Sequence, residues 1–174
     1  MMFEPGDSVV YPHHGARRVL EIVEQAPQGR ARLYYSIQIL QNGMTAMVPV
    51  DGAEKAGIRP VISEQELEEV LGVLRDDPTR MPNNWNHRIK HNREKIKTGD
   101  ALEIADVLRN LALRDHEKGL STGEKQMYSK VRGILASELM CAMHLCADDA
   151  LRFLDGVLSE ICARSSCAGQ GVVG

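Results

Sequence analysis

Aromatic side chains are scarce in this chain, whose 174 residues include one tryptophan, two phenylalanines and four tyrosines. The sequence also lacks any apolar run near the roughly 20 residues that a membrane-spanning helix needs. Its first residues lack the basic and apolar regions of an export signal. We therefore expect a cytoplasmic protein with no membrane partner. The length predicts one medium domain or two small ones.

Motifs that identify common enzyme classes are missing as well. The sequence contains no G-x-x-x-x-G-K-[ST], no G-x-G-x-x-G and no G-x-S-x-G. His13 and His14 are adjacent, and side chains at neighbouring positions of an extended segment point to opposite faces. The sequence therefore predicts a binding protein with no catalytic residue and no cofactor. A hydrolase or metalloprotein that uses these two histidines is the enzyme alternative.

The four cysteines lie in the last fifth of the chain and form two C-x₄-C pairs, Cys141 with Cys146 and Cys162 with Cys167, and His144 lies within the first pair. Such a pattern could suggest zinc ligands. If residues 141–146 are helical, however, the thiols of that pair point about 140° apart. We therefore predict no metal site and free, reduced thiols.

Residues 1–60 carry six basic and six acidic side chains and have the pattern of short strands and turns. The predicted strands are "SVVY" (8–11), "ARRVLEIV" (16–23) and the two arms of the hairpin "LYYSIQILQNGMTAMVPV" (33–50). Alternation within 16–23 places Val19, Glu21 and Val23 on one face. Asn42-Gly43 supplies the positive φ that a tight hairpin requires. Four or five strands without a helix predict a small curled antiparallel barrel, whose exposed strands suit β-augmentation.

From residue 61 to residue 162 the apolar residues recur at the spacing of an amphipathic helix. Capping boxes at Ser63–Glu66 and Ser121–Glu124 predict the starts of two helices, and further helices are predicted near Asn83, Asp100 and Asp148. Residues 163–174 show no periodic spacing of apolar residues, which predicts a disordered tail. The sequence therefore predicts an α+β protein, with a small barrel at 1–60 followed by a compact bundle of about five helices at 61–162.

The one tryptophan, Trp85, begins the most basic stretch of a chain whose formal net charge is −3. Between Arg80 and Lys97 there are six Lys or Arg side chains and one acidic side chain, which gives a local charge of +5. An exposed aromatic ring flanked by cations is how proteins stack on or wedge beside bases while holding phosphates. The alternative is a Trp85 that packs into the bundle beside a solvated basic face.

Several motifs resemble, in order, the CarD/CdnL family of bacterial transcription regulators: "GDSVVYPHHG" (6–15), "NGMTAMVPV" (42–50), "GIRPVIS" (57–63), "NWNHRIKHNREKIKTGD" (84–100) and "LSTGEKQMYSKVRGIL" (120–135). The resemblance extends from Met1 to about Cys162. The predicted barrel also resembles the RNA-polymerase-interacting domain of transcription-repair coupling factors.

The resemblance implies a Tudor-like barrel that binds the RNA polymerase β subunit, and a helical domain that contacts promoter DNA. The family's tryptophan wedges into the minor groove at the upstream edge of the promoter bubble and stabilises the open complex. The implied DNA-binding residues are Trp85, His87, Arg88, Lys90, Arg93 and Lys125. The implied polymerase-binding residues are Gln25, Met44, Thr45, Ala46, Met47, Val48 and Pro49.

This chain departs from the family pattern at three of these positions. Actinobacterial members carry arginine where this chain has Gln25 and Met47, which predicts polymerase binding with less charge complementarity. His87 replaces an arginine and predicts a mildly pH-dependent DNA contact.

The resemblance implies a monomeric, non-enzymatic regulator associated with the nucleoid through polymerase, with little DNA sequence specificity. A protein–protein adaptor with a buried Trp85 and no DNA contact is the alternative.

Overall fold

The computed structural model describes residues 2–39 and 43–169 of the chain, with side chains as far as Cys167. The backbone divides into two compact units, Met1–Val61 and Ile62–Gly174. The first unit is a five-stranded antiparallel sheet, and the second contains five helices. The predicted α+β class is confirmed, and the sheet is consistent with the Tudor-like domain that the resemblance implies.

The strands of the first unit are β1 (Ser8–Tyr11), β2 (Gly15–Gln25), β3 (Arg32–Gln38), β4 (Thr45–Pro49) and β5 (Arg59–Pro60). Their order in the sheet is β4-β3-β2-β1-β5, and each neighbouring pair is antiparallel. The β3–β4 pairing confirms the predicted hairpin. Gly43 has the expected positive φ of 81°, and Asn42 lies outside the described residues.

Strand β2 is bent by a register shift between Val19 and Glu21, so that its first half pairs with β1 and its second half with β3. The bulge turns Leu20 outward and lets Ile22, together with Val19, pack against the core. The strict alternation predicted for 16–23 is therefore wrong beyond Val19, because the extra residue of a bulge reverses the order of faces. The bend curls the sheet around a core centred on Tyr35, whose hydroxyl accepts a hydrogen bond of 3.0 Å from the backbone N–H of Phe3.

The helices of the second unit are α1 (Glu64–Arg75), α2 (Trp85–Lys97), α3 (Ala101–Lys118), α4 (Thr122–Ala142) and α5 (Ala147–Gly169). Both predicted capping boxes are present: Ser63 with Glu66 begins α1, and Ser121 with Glu124 begins α4. Helix α3 lies at the centre of the bundle, since it contacts the other four helices and buries every residue from Ile104 to Leu113. None of the described helices is long and apolar enough to cross a membrane.

The end of the chain differs from the prediction of a disordered tail at 163–174. Helix α5 continues to Gly169, and residues 170–174 lie outside the described residues. Contacts with other helices hold the extension in place. Arg164 donates a hydrogen bond of 2.9 Å to the carbonyl of Arg75, and the hydroxyl of Ser166 lies 2.6 Å from the ring of His116.

The cysteines are free thiols. Cys141 lies in α4, which ends at Ala142, and Cys146 lies beyond that end. The assumption that this pair shares one helix is therefore wrong. Among residues 2–39 and 43–169, no three His, Cys, Asp or Glu side chains are grouped so that they could hold a metal ion.

Candidate nucleic-acid and polymerase interfaces

Trp85 occupies the first helical position of α2, directly after the N-cap residue Asn84. The Asn84 side chain accepts hydrogen bonds from the backbone N–H groups of Asn86 and His87, which fixes the start of the helix. The tryptophan side chain is 48% exposed. Its indole Nε1–H donates a hydrogen bond of 2.9 Å to Oγ of Ser121. The ring therefore lies against the beginning of α4 while about half of it faces solvent, unlike the buried Trp85 that the adaptor alternative assumes.

The rest of α2 separates into a buried stripe and a cationic face. Ile89, Asn92 and Ile96 are buried, so the polar Asn92 lies between two isoleucines in the buried stripe. Three exposed cations lie within about 60° of one another on the helical wheel. This cationic face of α2 consists of Lys90, Arg93 and Lys97.

Arg88 is not part of that face. It is only 4% exposed, and its Nε lies 2.6 Å from Oε1 of Glu124 in α4. Its Nη1 donates to the backbone carbonyls of Pro82 and Asn83, at 3.3 and 3.0 Å. The guanidinium of Arg88 therefore has partners inside the bundle, and its predicted contact with DNA stays a prediction. Sequence position could not reveal these partners, since the carboxylate of Glu124 lies 36 residues away.

Glu124 is the acceptor at the centre of these contacts and is 1% exposed. Its carboxylate also accepts from the backbone N–H of Ser121, at 3.1 Å, and lies 3.3 Å from Nε of Arg114. Burial by itself would raise the pKa of this carboxyl group. The hydrogen bonds from Arg88 and Ser121 outweigh burial, so that the pKa is lowered and the group stays ionised.

A second cation of the basic stretch, Lys95, is also engaged inside the bundle. It contacts Asp106 of α3 and lies 3.3 Å from Glu103. Burial by itself would lower the pKa of Lys95, but these two carboxylates raise it. The pKa of Asp106 is lowered in turn, because its contacts with Lys95 and Arg109 outweigh the opposing effect of burial. The cationic surface near Trp85 is therefore smaller than the charge of the sequence suggests.

The remaining predicted DNA-binding residues, His87 and Lys125, are exposed. Lys125 lies in the first turn of α4, and its backbone N–H donates to the carbonyl of Ser121. The tryptophan ring reaches the same turn, since a Cβ placed at Gly123 would lie 3.6 Å from the ring atom Cζ2 of Trp85. The fold thus brings the helix start that carries Lys125 to Trp85, although 40 residues separate the two.

The predicted polymerase-binding segment forms β4, an edge strand of the sheet that pairs with β3 alone among the described strands. Val48 faces Tyr35 in the core, and Ala46 packs against the same core. Val48 is buried and can therefore reach a partner only through its backbone, whereas Ala46 is half-buried. The exposed side chains of the segment include Met44, Thr45 and Met47, with Met44 58% and Met47 38% exposed.

Gln25 lies at the end of β2, two strands away from β4. It is exposed and pairs with Arg32 of β3. Further along the same strands, Tyr34 of β3 pairs with both Val23 of β2 and Pro49 of β4. Gln25 and Pro49 therefore lie towards the same end of the sheet, whereas Met44 precedes the opposite end of β4.

Both domains match models of known families. Residues 3–62 match the CarD-like/TRCF RID domain, and residues 69–155 match the CarD C-terminal domain. A relative in Bacillus subtilis (strain 168), the candidate transcription factor YdeB, is 35% identical over 138 residues. That alignment covers 79% of this chain and 90% of the relative. The chain belongs to the CarD/CdnL family.

Membership in the CarD/CdnL family indicates a role in transcription regulation through an interaction with RNA polymerase, in a family of transcription factors rather than enzymes. His13 and His14, the basis of the enzyme alternative, lie in the exposed turn between β1 and β2. The ring of His14 packs at a centroid distance of 5.2 Å against Tyr11.

Two residues that contact this site were missed as site residues, namely Ser121 and Glu124. The signal was present, since the capping box "STGE" identifies both as polar residues at a helix start. A capping box is satisfied by its own helix, however, and gives no indication of which other helix contacts it.

Proposed function

We propose that this protein docks on the RNA polymerase β subunit through its N-terminal sheet and stabilises the promoter open complex with Trp85 at the upstream edge of the bubble. The observation that carries the proposal is the half-exposed indole at the first position of α2, beside a cationic face and the first turn of α4. An aromatic wedge at a base step requires an exposed ring that is supported from behind.

The DNA contacts in this proposal are those of exposed groups. Trp85 wedges beside a base pair, while Lys90, Arg93 and Lys125 contact phosphates and His87 adds a further contact. Three phosphate contacts predict a log–log salt slope of about −3. Affinity from so small a surface is low, and nothing in it reads base edges in the major groove, so sequence specificity is low.

Docking on polymerase supplies the local concentration that the DNA contact lacks. Among the described strands β4 is an edge strand, so that its outer side can pair with a strand of the partner, and Met44 and Met47 are exposed in the same segment. Tethering in this way raises the concentration of Trp85 near the fork without any gain in intrinsic affinity for DNA. The protein then acts as a monomer in the cytoplasm, on the nucleoid.

The test of the DNA contact is the lifetime of polymerase–promoter open complexes after challenge with a competitor. Wild-type protein should prolong the lifetime, and Trp85→Ala should remove most of that effect while still binding polymerase. Loss of one stacked ring corresponds to about 1–3 kcal/mol, or roughly 5- to 150-fold in lifetime. Equal lifetimes with both proteins would contradict the role of Trp85.

The docking contact is tested separately by Met47→Glu, which changes an exposed position of β4. We expect this variant to lose binding to the β subunit, and with it the effect on lifetime, while the fluorescence of Trp85 stays the same. A variant that still binds polymerase with wild-type affinity would place the docking surface elsewhere. The charge-matched control is Gln65→Glu, which introduces the same charge at an exposed position of α1.

A further inference from the structure

The indole of Trp85 is fixed by contacts with α4 as well as by its own helix. Ser121 is the N-cap residue of α4, and its Oγ accepts from the backbone N–H of Glu124 at 3.3 Å and from Nε1 of Trp85 at 2.9 Å. A hydroxyl oxygen has two acceptor lone pairs, so these two hydrogen bonds use both of them. The capping hydroxyl of α4 is thereby also the support of the tryptophan.

The contacts continue from Ser121 back to α2. Glu124 completes the capping box by accepting from the backbone N–H of Ser121 and pairs with Arg88, which lies one turn after Trp85. Arg88 also holds the carbonyls of Pro82 and Asn83, in the segment that leads into α2. The sequence of contacts Trp85–Ser121–Glu124–Arg88 thus starts and ends on the same helix turn, and we name it the positioning ring.

We propose that the positioning ring sets the orientation of Trp85 before the protein meets DNA, and that Ser121, Glu124 and Arg88 are positioning residues for the wedge. This inference rests on the function proposed above. An exposed tryptophan at a helix end can adopt several rotamers, and each binding event would have to select one of them. A side chain held in its bound orientation avoids that ordering cost.

The positioning ring also gives Arg88 a function that its charge alone does not suggest. Its guanidinium is directed at Glu124 and at two carbonyls, in the planar geometry that lysine cannot reproduce. Arg88 therefore acts on DNA through Trp85, whereas Lys90, two residues later on the exposed side of α2, is free to act on phosphates directly.

The test uses the fact that the chain has one tryptophan, so that its intrinsic fluorescence reports on Trp85 alone. Ser121→Gly removes the hydroxyl but leaves an acceptable N-cap residue. Ser63→Gly makes the same change in the capping box of α1 and is the matched control. Ser121→Thr keeps the hydroxyl and is the conservative variant.

In free protein, Ser121→Gly should lower the anisotropy of Trp85 and increase its quenching by acrylamide, while Ser63→Gly and Ser121→Thr should leave both close to wild type. In open-complex assays, Ser121→Gly should shorten the lifetime by about two- to tenfold, the range expected for loss of one hydrogen bond. Ser63→Gly should leave the lifetime unchanged. Circular dichroism of each variant verifies that the helices are retained.

Unchanged fluorescence in Ser121→Gly would overturn the positioning ring. Altered fluorescence with an unchanged lifetime would also overturn it, provided that Trp85→Ala shortens the lifetime in the same assay. If Trp85→Ala itself has no effect on lifetime, the proposed function fails. In that case the fluorescence of the Ser121 variants still decides whether Ser121 holds the indole.

Discussion

Two helices of the C-terminal unit begin with the same device, and the molecule uses it in two ways. In α1, Ser63 and Glu66 form a capping box in which both residues are exposed. In α4, Ser121 and Glu124 form the same box, but Glu124 is buried and pairs with Arg88 while Ser121 supports Trp85. A local motif that begins one helix can therefore, in the right tertiary setting, also hold a side chain of another helix in place.

Of the variants that test this difference, Arg88→Met should have the largest effect on stability. It leaves the buried Glu124 carboxylate with Arg114 and the backbone N–H of Ser121 as partners, and we expect the free energy of unfolding of the helical unit to fall by about 3 kcal/mol. Lys90→Met, on the exposed face of the same helix, should change it by less than about 0.5 kcal/mol. Urea unfolding followed by circular dichroism measures both values. Equal stabilities would contradict the internal role of Arg88.

Substitution of the two capping glutamates compares the boxes directly. Glutamine fits the third position of a capping box, so that Glu66→Gln should cost less than about 0.5 kcal/mol. Glu124→Gln keeps the capping geometry but removes the negative charge that Arg88 and Arg114 share, and should cost about 2 kcal/mol. The same unfolding measurement applies, and a similar cost for both variants would show that burial of the α4 box has no energetic consequence.

The pH dependence of stability should also distinguish wild type from Glu124→Gln. The pKa of Glu124 is lowered by its hydrogen bonds despite the opposing effect of burial. Its ionised form therefore contributes stability at pH values above the unfolded-state pKa of about 4.3, and this contribution is lost as pH falls through the folded-state pKa. The difference in unfolding free energy between the two proteins should shrink below about pH 4.

Asp106 also has a lowered pKa, since its contacts with Lys95 and Arg109 outweigh burial. Glu124→Gln should therefore keep part of the acid sensitivity of the wild type. Unfolding by urea at a series of acidic pH values provides the curves. A difference that stays constant across the series would mean that Glu124 does not titrate with folding.

Lys90→Met is expected to have the smallest effect on stability. It also separates direct DNA binding most clearly from the positioning of Trp85. Loss of one phosphate contact should reduce the magnitude of the salt slope for DNA binding by about 1. Titration of the polymerase complex with forked DNA at several salt concentrations gives that slope. Met substitution at Glu68, an exposed acidic residue of α1, serves as the control and should leave the slope unchanged.

The features that the sequence predicted well are those set by neighbouring residues. Ser63, Asp100 and Ser121 begin helices because their side chains accept from backbone N–H groups two or three positions later. Gly43 has the positive φ that the hairpin needs. Short-range hydrogen bonds and backbone sterics are sufficient to determine each of these.

The features that it missed depend on distant partners. The bulge at Leu20 reverses the faces of β2 because β1 and β3 pair with different halves of that strand. Arg88 is buried because Glu124 lies opposite, and the wheel position of Arg88 next to the buried stripe did not reveal that partner. The helical extension of α5 depends on contacts with α1 and α3, such as that of Ser166 with His116.

A photo-crosslink from position 85 measures whether Trp85 reaches the upstream edge of the promoter bubble. p-Benzoylphenylalanine replaces Trp85, and the cross-linked nucleotides are mapped in open complexes. The same substitution at the exposed Lys130, about two turns after the start of α4, serves as the control. We expect cross-links from position 85 to the DNA at the upstream fork and none there from position 130. Cross-links from position 85 to polymerase alone would contradict a contact of Trp85 with the fork and would favour the adaptor.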